Sequence, residues 1–289
     1  MNIVISIHIF PNELNRYSTT LDRLNRCFSG VSDNIVLYTT LNTSSAIIDW
    51  DKSTIDKADS IKRYDELNKK ILCVKKIHNV ISTNKPYGVN DHRRETYKKF
   101  YAYDSIIYLD SDIVFSDQIL KNYVNALNSF DHKNEWYVIS PQTVRLWDTT
   151  WDCIVNERYI KHPINSHKRL NPDEVISSVA SAPRTYEKSP IYKFAGGWFT
   201  AHSPKLLNFV GIPNSFGSYG PDDTFLMSCM NSIKRRGMSV VQYVVKNEII
   251  IEDTTTDTTG LHFLTNASQQ RLLGQKNFIP ELREFSKKL

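Results

Sequence analysis

A chain of 289 residues, 40 % hydrophobic and 23 % charged, is long enough to bury a sizeable core and too apolar to remain disordered. Its 36 Lys and Arg against 31 Asp and Glu leave a net charge of only +5, dispersed along the sequence, which argues against a nucleic-acid partner. No apolar run approaches the roughly 18 residues of a membrane span, and the start MNIVISIHIFPNELNRY resembles no basic leader; the expectation is a soluble, cytoplasmic protein.

The first 130 residues alternate short β-rich runs with longer amphipathic stretches, the pattern of an α/β sheet with crossover helices. Ile3 to Phe10 reads as the first strand, stopped at Pro11, and Leu14, Tyr17, Leu21, Leu24 and Phe28 then recur at helical spacing. Ile35 to Thr40 and Ile71 to Ile77 are predicted as the next strands, with a helix between Asp51 and Lys70. After Pro86-Tyr87-Gly88, a helix over Asp91 to Tyr103 leads into SIIYLDSDIVF, the strongest strand in the chain. Ser116 is placed to cap the following helix, and Trp136 to Leu146 is the next strand. From Asp148 to Pro190 periodicity fades into an irregular, aromatic and basic insertion. FAGGWFTAHSPKLL, a helix opened by Pro221 and closed by Gly237, and a strand from Ser239 to Val245 complete the order. The four cysteines, Cys27, Cys73, Cys153 and Cys229, form no CxxC pair and read as buried thiols.

Four features carry chemistry. In IIYLDSDIVF, Asp110 and Asp112 end an apolar strand; as residues i and i+2 they would share a face, where a hard divalent cation such as Mn²⁺ or Mg²⁺ relieves their repulsion. A solvated Asp-Ser-Asp turn is the alternative. Asp222 and Asp223 fall in the first turn of the Pro221 helix, where they either complement its dipole or act on a substrate. Gly196 and Gly197 allow a close backbone approach, with Trp198 offering a flat face to a sugar, or else make a tight core turn. His262, in GLHFL, is either a late metal ligand or a packed histidine, with His202 and His8 as competitors. Lys85, Arg93 and Arg94 precede the acidic strand and could meet a diphosphate or lie on a solvated helix face.

An apolar strand ending in D-x-D-x-V also resembles the nucleophile loop of haloacid-dehalogenase-like phosphatases, with Asp110 as nucleophile, but there it closes the first strand, whereas here two strand-helix units precede it. Position and surroundings instead resemble the GT-A glycosyltransferases over most of the chain. The resemblance implies a mixed, mostly parallel α/β sheet flanked by helices, with an inserted irregular acceptor region, in a single domain over 1–289 whose donor half is 1–115 and acceptor half 116–289. It implies a sugar transferred from a UDP- or GDP-linked donor to a glycan or lipid-linked glycan, by inverting displacement. On that resemblance Asp110, Ser111, Asp112, Gly196, Gly197 and Arg93 bind the donor, Asp110, Asp112 and His262 hold Mn²⁺ or Mg²⁺, and Asp223 is the general base with Asp222 beside it. LYTTLNTSS, after the second strand, lacks the acidic residue many relatives place there. A sugar-nucleotide-forming nucleotidyltransferase ranks last, because IHIFPNELNRY has no glycine-rich loop, and a non-catalytic carbohydrate-binding protein remains open. The mildly basic charge also fits a peripheral contact with an anionic membrane.

Overall fold

The computed structural model describes residues 1–29, 31–71, 74–144, 172–177, 179, 181–189, 191, 196–252 and 260–289. The strands are β1 (Asn2–Ile9), β2 (Asn34–Asn42), β3 (Lys75–Ile81), β4 (Ser105–Leu109), β5 (Ile113–Val114), β6 (Tyr137–Val144), β7 (Thr185–Ser189), β8 (Trp198–His202) and β9 (Val241–Glu252). The helices are α1 (Leu14–Phe28), α2 (Lys57–Lys69), α3 (Val89–Lys99), α4 (Ile119–Asn128), α5 (Pro172–Ser177), α6 (Pro204–Val210), α7 (Asp222–Arg235) and α8 (Thr265–Lys288).

The strands join one mixed sheet in the order β3-β2-β1-β4-β8-β6-β9-β5, with β7 also paired to β9. β3, β2, β1 and β4 run parallel, β8 is antiparallel to both β4 and β6, and β6 and β9 are parallel again. This is the mixed α/β architecture, with a largely parallel sheet flanked by helices, that the sequence implies. Alternation along the strands explains the layering. Ile3, Ile5, Ile7 and Ile9 face a core shared with α1, α2 and α4, whereas Val4, Ile106, Tyr108 and Val138 face one shared with α3, α6, α7 and α8. A strand covered on both faces needs a largely apolar run, and β1 supplies one from Ile3 to Ile9 that only Ser6 and His8 interrupt.

Several elements differ from the sequence prediction, among them β9, which continues past Val245 to Glu252. β3 begins at Lys75 rather than Ile71, because Ile71 is fully buried in the core at the end of the α2 connection, and the strand itself is a sheet edge with no buried residue. SIIYLDSDIVF is not one strand: β4 ends at Leu109, Asp110 to Asp112 turn, and Ile113–Val114 pairs with β9 at the far side of the sheet. The 24-residue α8 is absent from the sequence prediction, its periodicity obscured by Gly274 and Pro280. Most of the insertion from Asp148 to Pro190 lies outside the described residues, as do Cys73 and Cys153, but its described part is not irregular throughout: it holds α5 and β7, the latter paired to β9.

α8 supports the rest of the chain through its inner face. Gly274 lies against Gly220 and Pro221, and a Cβ on Gly274 would stand 2.8 Å from Gly220 Cα and 3.0 Å from Pro221 Cδ. Gln270 Oε1 accepts from Ser218 N–H (3.1 Å) and Asn277 donates to Ser215 O (2.8 Å), so the segment entering α7 is tied to α8 on either side of that contact.

Candidate active site

At the carboxyl end of β4 the chain must leave a buried strand, and the turn is fixed by a backbone hydrogen bond from Asp110 N–H to Gly197 O (2.7 Å). Asp110 and Asp112 therefore lie on a turn, not on one face of a strand. Gly197 is so close that a Cβ there would fall inside the Asp110 carboxylate. Its neighbour Gly196 donates its N–H to Asp223 Oδ2 (3.3 Å), and a Cβ at 196 would stand 2.9 Å from Arg93 Nη1. The glycine pair thus lets the Asp110 turn, Arg93 and the start of α7 meet. Phe199, two residues on, is fully buried at a φ of 52°, a conformation rarely adopted by bulky side chains.

Arg93 links the two acidic groups. It comes from the middle of α3, is 7 % exposed, donates from Nη1 to Asp222 Oδ2 at 2.6 Å and holds Nη2 3.7 Å from Asp110 Oδ1. Its guanidinium stacks over Tyr108, 5.0 Å from the ring centroid. The adjacent Arg94 turns the other way and donates to the carbonyls of Ile212 (3.1 Å), Pro213 (2.6 Å) and Gly217 (2.9 Å). Neither arginine belongs to a solvated helix face, while Lys85 is exposed in the preceding loop.

Negative charge exceeds positive charge here. Desolvation pushes Asp110 up to about 6, opposed by Arg93 and reinforced by Asp112, Asp222 and Asp223. Desolvation likewise pushes Asp223 up to about 6, with Asp222 adding to the rise and Arg93 and the N–H groups of Thr224 and Gly196 opposing it. Asp112 faces Arg16 Nη1 at 3.8 Å. A third carboxylate, which the sequence analysis did not single out, belongs to the same field: Glu13, just past β1, accepts from Phe10 N–H (2.6 Å) and is raised to about 7 by desolvation, with Asp112 and Asp110 contributing. Its position directly after a strand's carboxyl end was the available signal. Beside it, a cavity of about 320 Å³ opens between Pro11, Asn12, Asn15, Asp56, Asp59 and Arg63.

Other expected residues fall elsewhere. His262 is exposed and its Nδ1 lies 3.8 Å from Asp49 Oδ2. His8 and His202 are both held neutral, pushed down to about 3 by burial with Arg93 adding to it; His202 lines a cavity of about 20 Å³ behind Asp222 and Asp223. Trp198 is 6 % exposed and packs into the core, so it offers no face to a sugar. Ser111 is buried, its carbonyl accepting from Thr20 Oγ1 (2.8 Å) and its Oγ without a hydrogen-bond partner among the described residues.

No protein-family model matches the chain, and no curated protein matches it in sequence. Among solved structures it is similar to S. aureus TarS 1-349 in complex with UDP, at 11 % identity and a TM-score of 0.48, covering 85 % of this chain and 60 % of that one. It is similar to M. tuberculosis glucosyl-3-phosphoglycerate synthase with Mg²⁺ and UDP, at 11 % identity and a TM-score of 0.47, covering 99 % and 79 %. It is also similar to GalNAc-T7 with UDP, GalNAc and Mn²⁺, at 13 % identity and a TM-score of 0.48, covering 87 % and 43 %. The resemblance lies in chain path, not in sequence.

Among the described residues, no three His, Cys, Asp or Glu side chains form a metal-binding group. The pair Asp110 and Asp112 nevertheless suits a hard divalent ion, which takes few carboxylates and fills its remaining positions with phosphate oxygens and water.

Proposed function

We propose that this protein is a GT-A-type glycosyltransferase that transfers a sugar from a nucleotide-sugar donor to a glycan or lipid-linked glycan, with Mn²⁺ or Mg²⁺ and with inversion. The observation that carries this reading is the meeting of the Asp110 turn and the Asp222-Asp223 pair around Arg93, at the carboxyl edge of the parallel strands. Open α/β sheets bind ligands at that edge.

Asp110 and Asp112 are the residues that would hold the metal, whose chemistry when bound is to offset charge on a departing diphosphate. Arg93 holds Asp222 in place through their 2.6 Å ion pair. Asp222 is therefore committed to its ion pair, while Asp223 has a carboxylate raised toward neutrality and, among the described residues, accepts hydrogen bonds from the backbone N–H groups of Gly196 and Thr224 and from the Thr224 hydroxyl at longer range. A carboxylate so placed suits a general base that takes the proton of an acceptor hydroxyl as its oxygen attacks the anomeric carbon. Gly196 N–H orients that carboxylate, and Gly197 lets the donor-side turn approach it. The cavity beside Pro11 and Asn12 provides room for the nucleoside end of a donor.

Thermal melting with UDP, GDP and CMP, each with and without Mn²⁺, tests the donor reading, because a ligand that binds only the native state raises the melting temperature. The expected result is a shift that requires one nucleotide together with the metal and that is lost in Asp112→Asn. No shift with any nucleotide, combined with hydrolysis of a generic phosphomonoester, would replace this reading with the phosphatase.

A further inference from the structure

We infer that the outer face of α8 is a docking surface for an anionic lipid bilayer. The inner face of this helix is consumed by the fold: Phe278, Leu282 and Phe285 pack into the core beneath α7. The outer face carries Leu272, Leu273 and Ile279, at 61 %, 42 % and 52 % exposure, which no other described element covers. At 3.6 residues per turn, Leu272, Leu273, Lys276, Ile279, Arg283 and Lys287 fall within an arc of about 120° along roughly 22 Å of helix. Apolar and basic side chains therefore share one stripe.

Charge selects the occupant. Arg271, Lys276, Arg283, Lys287 and Lys288 are all exposed on this helix against a single exposed acid, Glu284, which pairs with Lys287 at 2.6 Å. Three of these, Lys276, Arg283 and Lys287, lie on the stripe itself, and basic side chains on an amphipathic helix match the negative potential of an anionic lipid surface. Leucine and isoleucine side chains can enter the boundary between headgroups and acyl chains, while lysine and arginine stems lie along it with their charges at the phosphates. A second copy of the chain fits less well, since a two-fold contact through this stripe would bring the basic side chains Lys276, Arg283 and Lys287 of the two copies together with no acidic complement on the stripe. The surface is independent of the catalytic reading.

Co-sedimentation of the full chain with vesicles tests the inference. The protein is expected to partition onto phosphatidylcholine vesicles containing phosphatidylserine, to ignore vesicles of phosphatidylcholine alone, and to be released by salt. Lys276→Glu with Arg283→Glu should weaken partitioning by at least roughly 30-fold, following about a fivefold loss per basic side chain. Leu272→Gln with Ile279→Gln should also release the protein, and neither pair should alter thermal melting, because these side chains are exposed. Failure of the wild type to bind phosphatidylserine vesicles, or binding unchanged in both double variants, would overturn the inference. So would a dimer in light scattering that Leu272→Gln with Ile279→Gln dissociates, which would assign the face to a second copy.

Discussion

The Cα of Gly197 sits where any side chain would collide with the carboxylate of Asp110. This is a steric condition on the site, independent of what binds there. Gly197→Ala should push the Asp110 turn outward while leaving the sheet intact. A misplacement of about 1 Å costs on the order of 100-fold in rate. Steady-state transfer kinetics beside a melting curve will check it: loss of kcat/KM with a cooperative melt is expected, and unchanged kinetics would dissociate Asp110 from the reaction.

Asp223→Asn should lower kcat by about 10² to 10⁴, the usual contribution of a positioned base. Nucleotide- and metal-dependent stabilisation should survive, because the proposed function assigns Asp223 to the acceptor hydroxyl and the metal to Asp110 and Asp112. The wild-type rate should fall as pH drops through about 6, where Asp223 gains its proton and can no longer accept one. The residual rate of the variant should lose the part of that acid limb owed to Asp223 and keep any part owed to Asp110, so an acid limb identical in both proteins would refute the assignment.

Removing the charge of Arg93 leaves buried carboxylates uncompensated. Breaking one partner of a buried pair costs about 3 to 5 kcal/mol. Arg93→Met should melt well below the wild type, and Asp222→Asn in the same chain should restore part of the loss. A double-mutant cycle by thermal or urea unfolding measures the coupling, and strictly additive losses would exclude the ion pair as its source.

Acid should destabilise the fold through its buried histidines. His8 titrates near 3 when folded against 6.5 when unfolded, so the unfolded chain binds the extra proton between those values and stability drains away as pH falls from about 6.5 toward 3. Asp110, Asp223 and Glu13 act in the opposite sense, because their folded values are raised. The melting temperature of His8→Asn relative to wild type isolates the histidine: the variant should lose less stability on acidification, and parallel curves would refute the linkage.

Gly274→Ala would raise helix propensity by about 1 kcal/mol at an exposed site. Here the added methyl meets the backbone of Gly220, two residues before Asp222. A lower melting temperature and a lower kcat, with nucleotide stabilisation preserved, are expected; a higher melting temperature would show that the helix can move away freely.

Much of the fold was legible because strand and helix periodicities are local. Ile3 through Ile9, the α1 stripe and the α7 stripe each follow from neighbours a few residues apart. The break at Asp110 was not legible, since it depends on Gly197, 87 positions away, accepting its N–H. α8 was hidden because Gly274 and Pro280 interrupt its pattern, and both are poor helix formers whose place in a helix is not read from neighbouring residues. The site follows the same division. Asp110, Asp112, Asp222 and Asp223 stood out by local pattern, whereas the role of Arg93 in joining them, and the presence of Glu13 in their field, emerge only when three strands and two helices converge.

Consecutive residues of α3 hold two ends of one segment: Arg94 grips the carbonyls of Ile212, Pro213 and Gly217, and Arg93 grips Asp222. The stretch from 212 to 222 is thus a bridge with both abutments on a single helix, and its length is set by the one-residue offset between them. An inserted or deleted residue within this bridge would release one anchor, so the segment should vary in composition far more readily than in length.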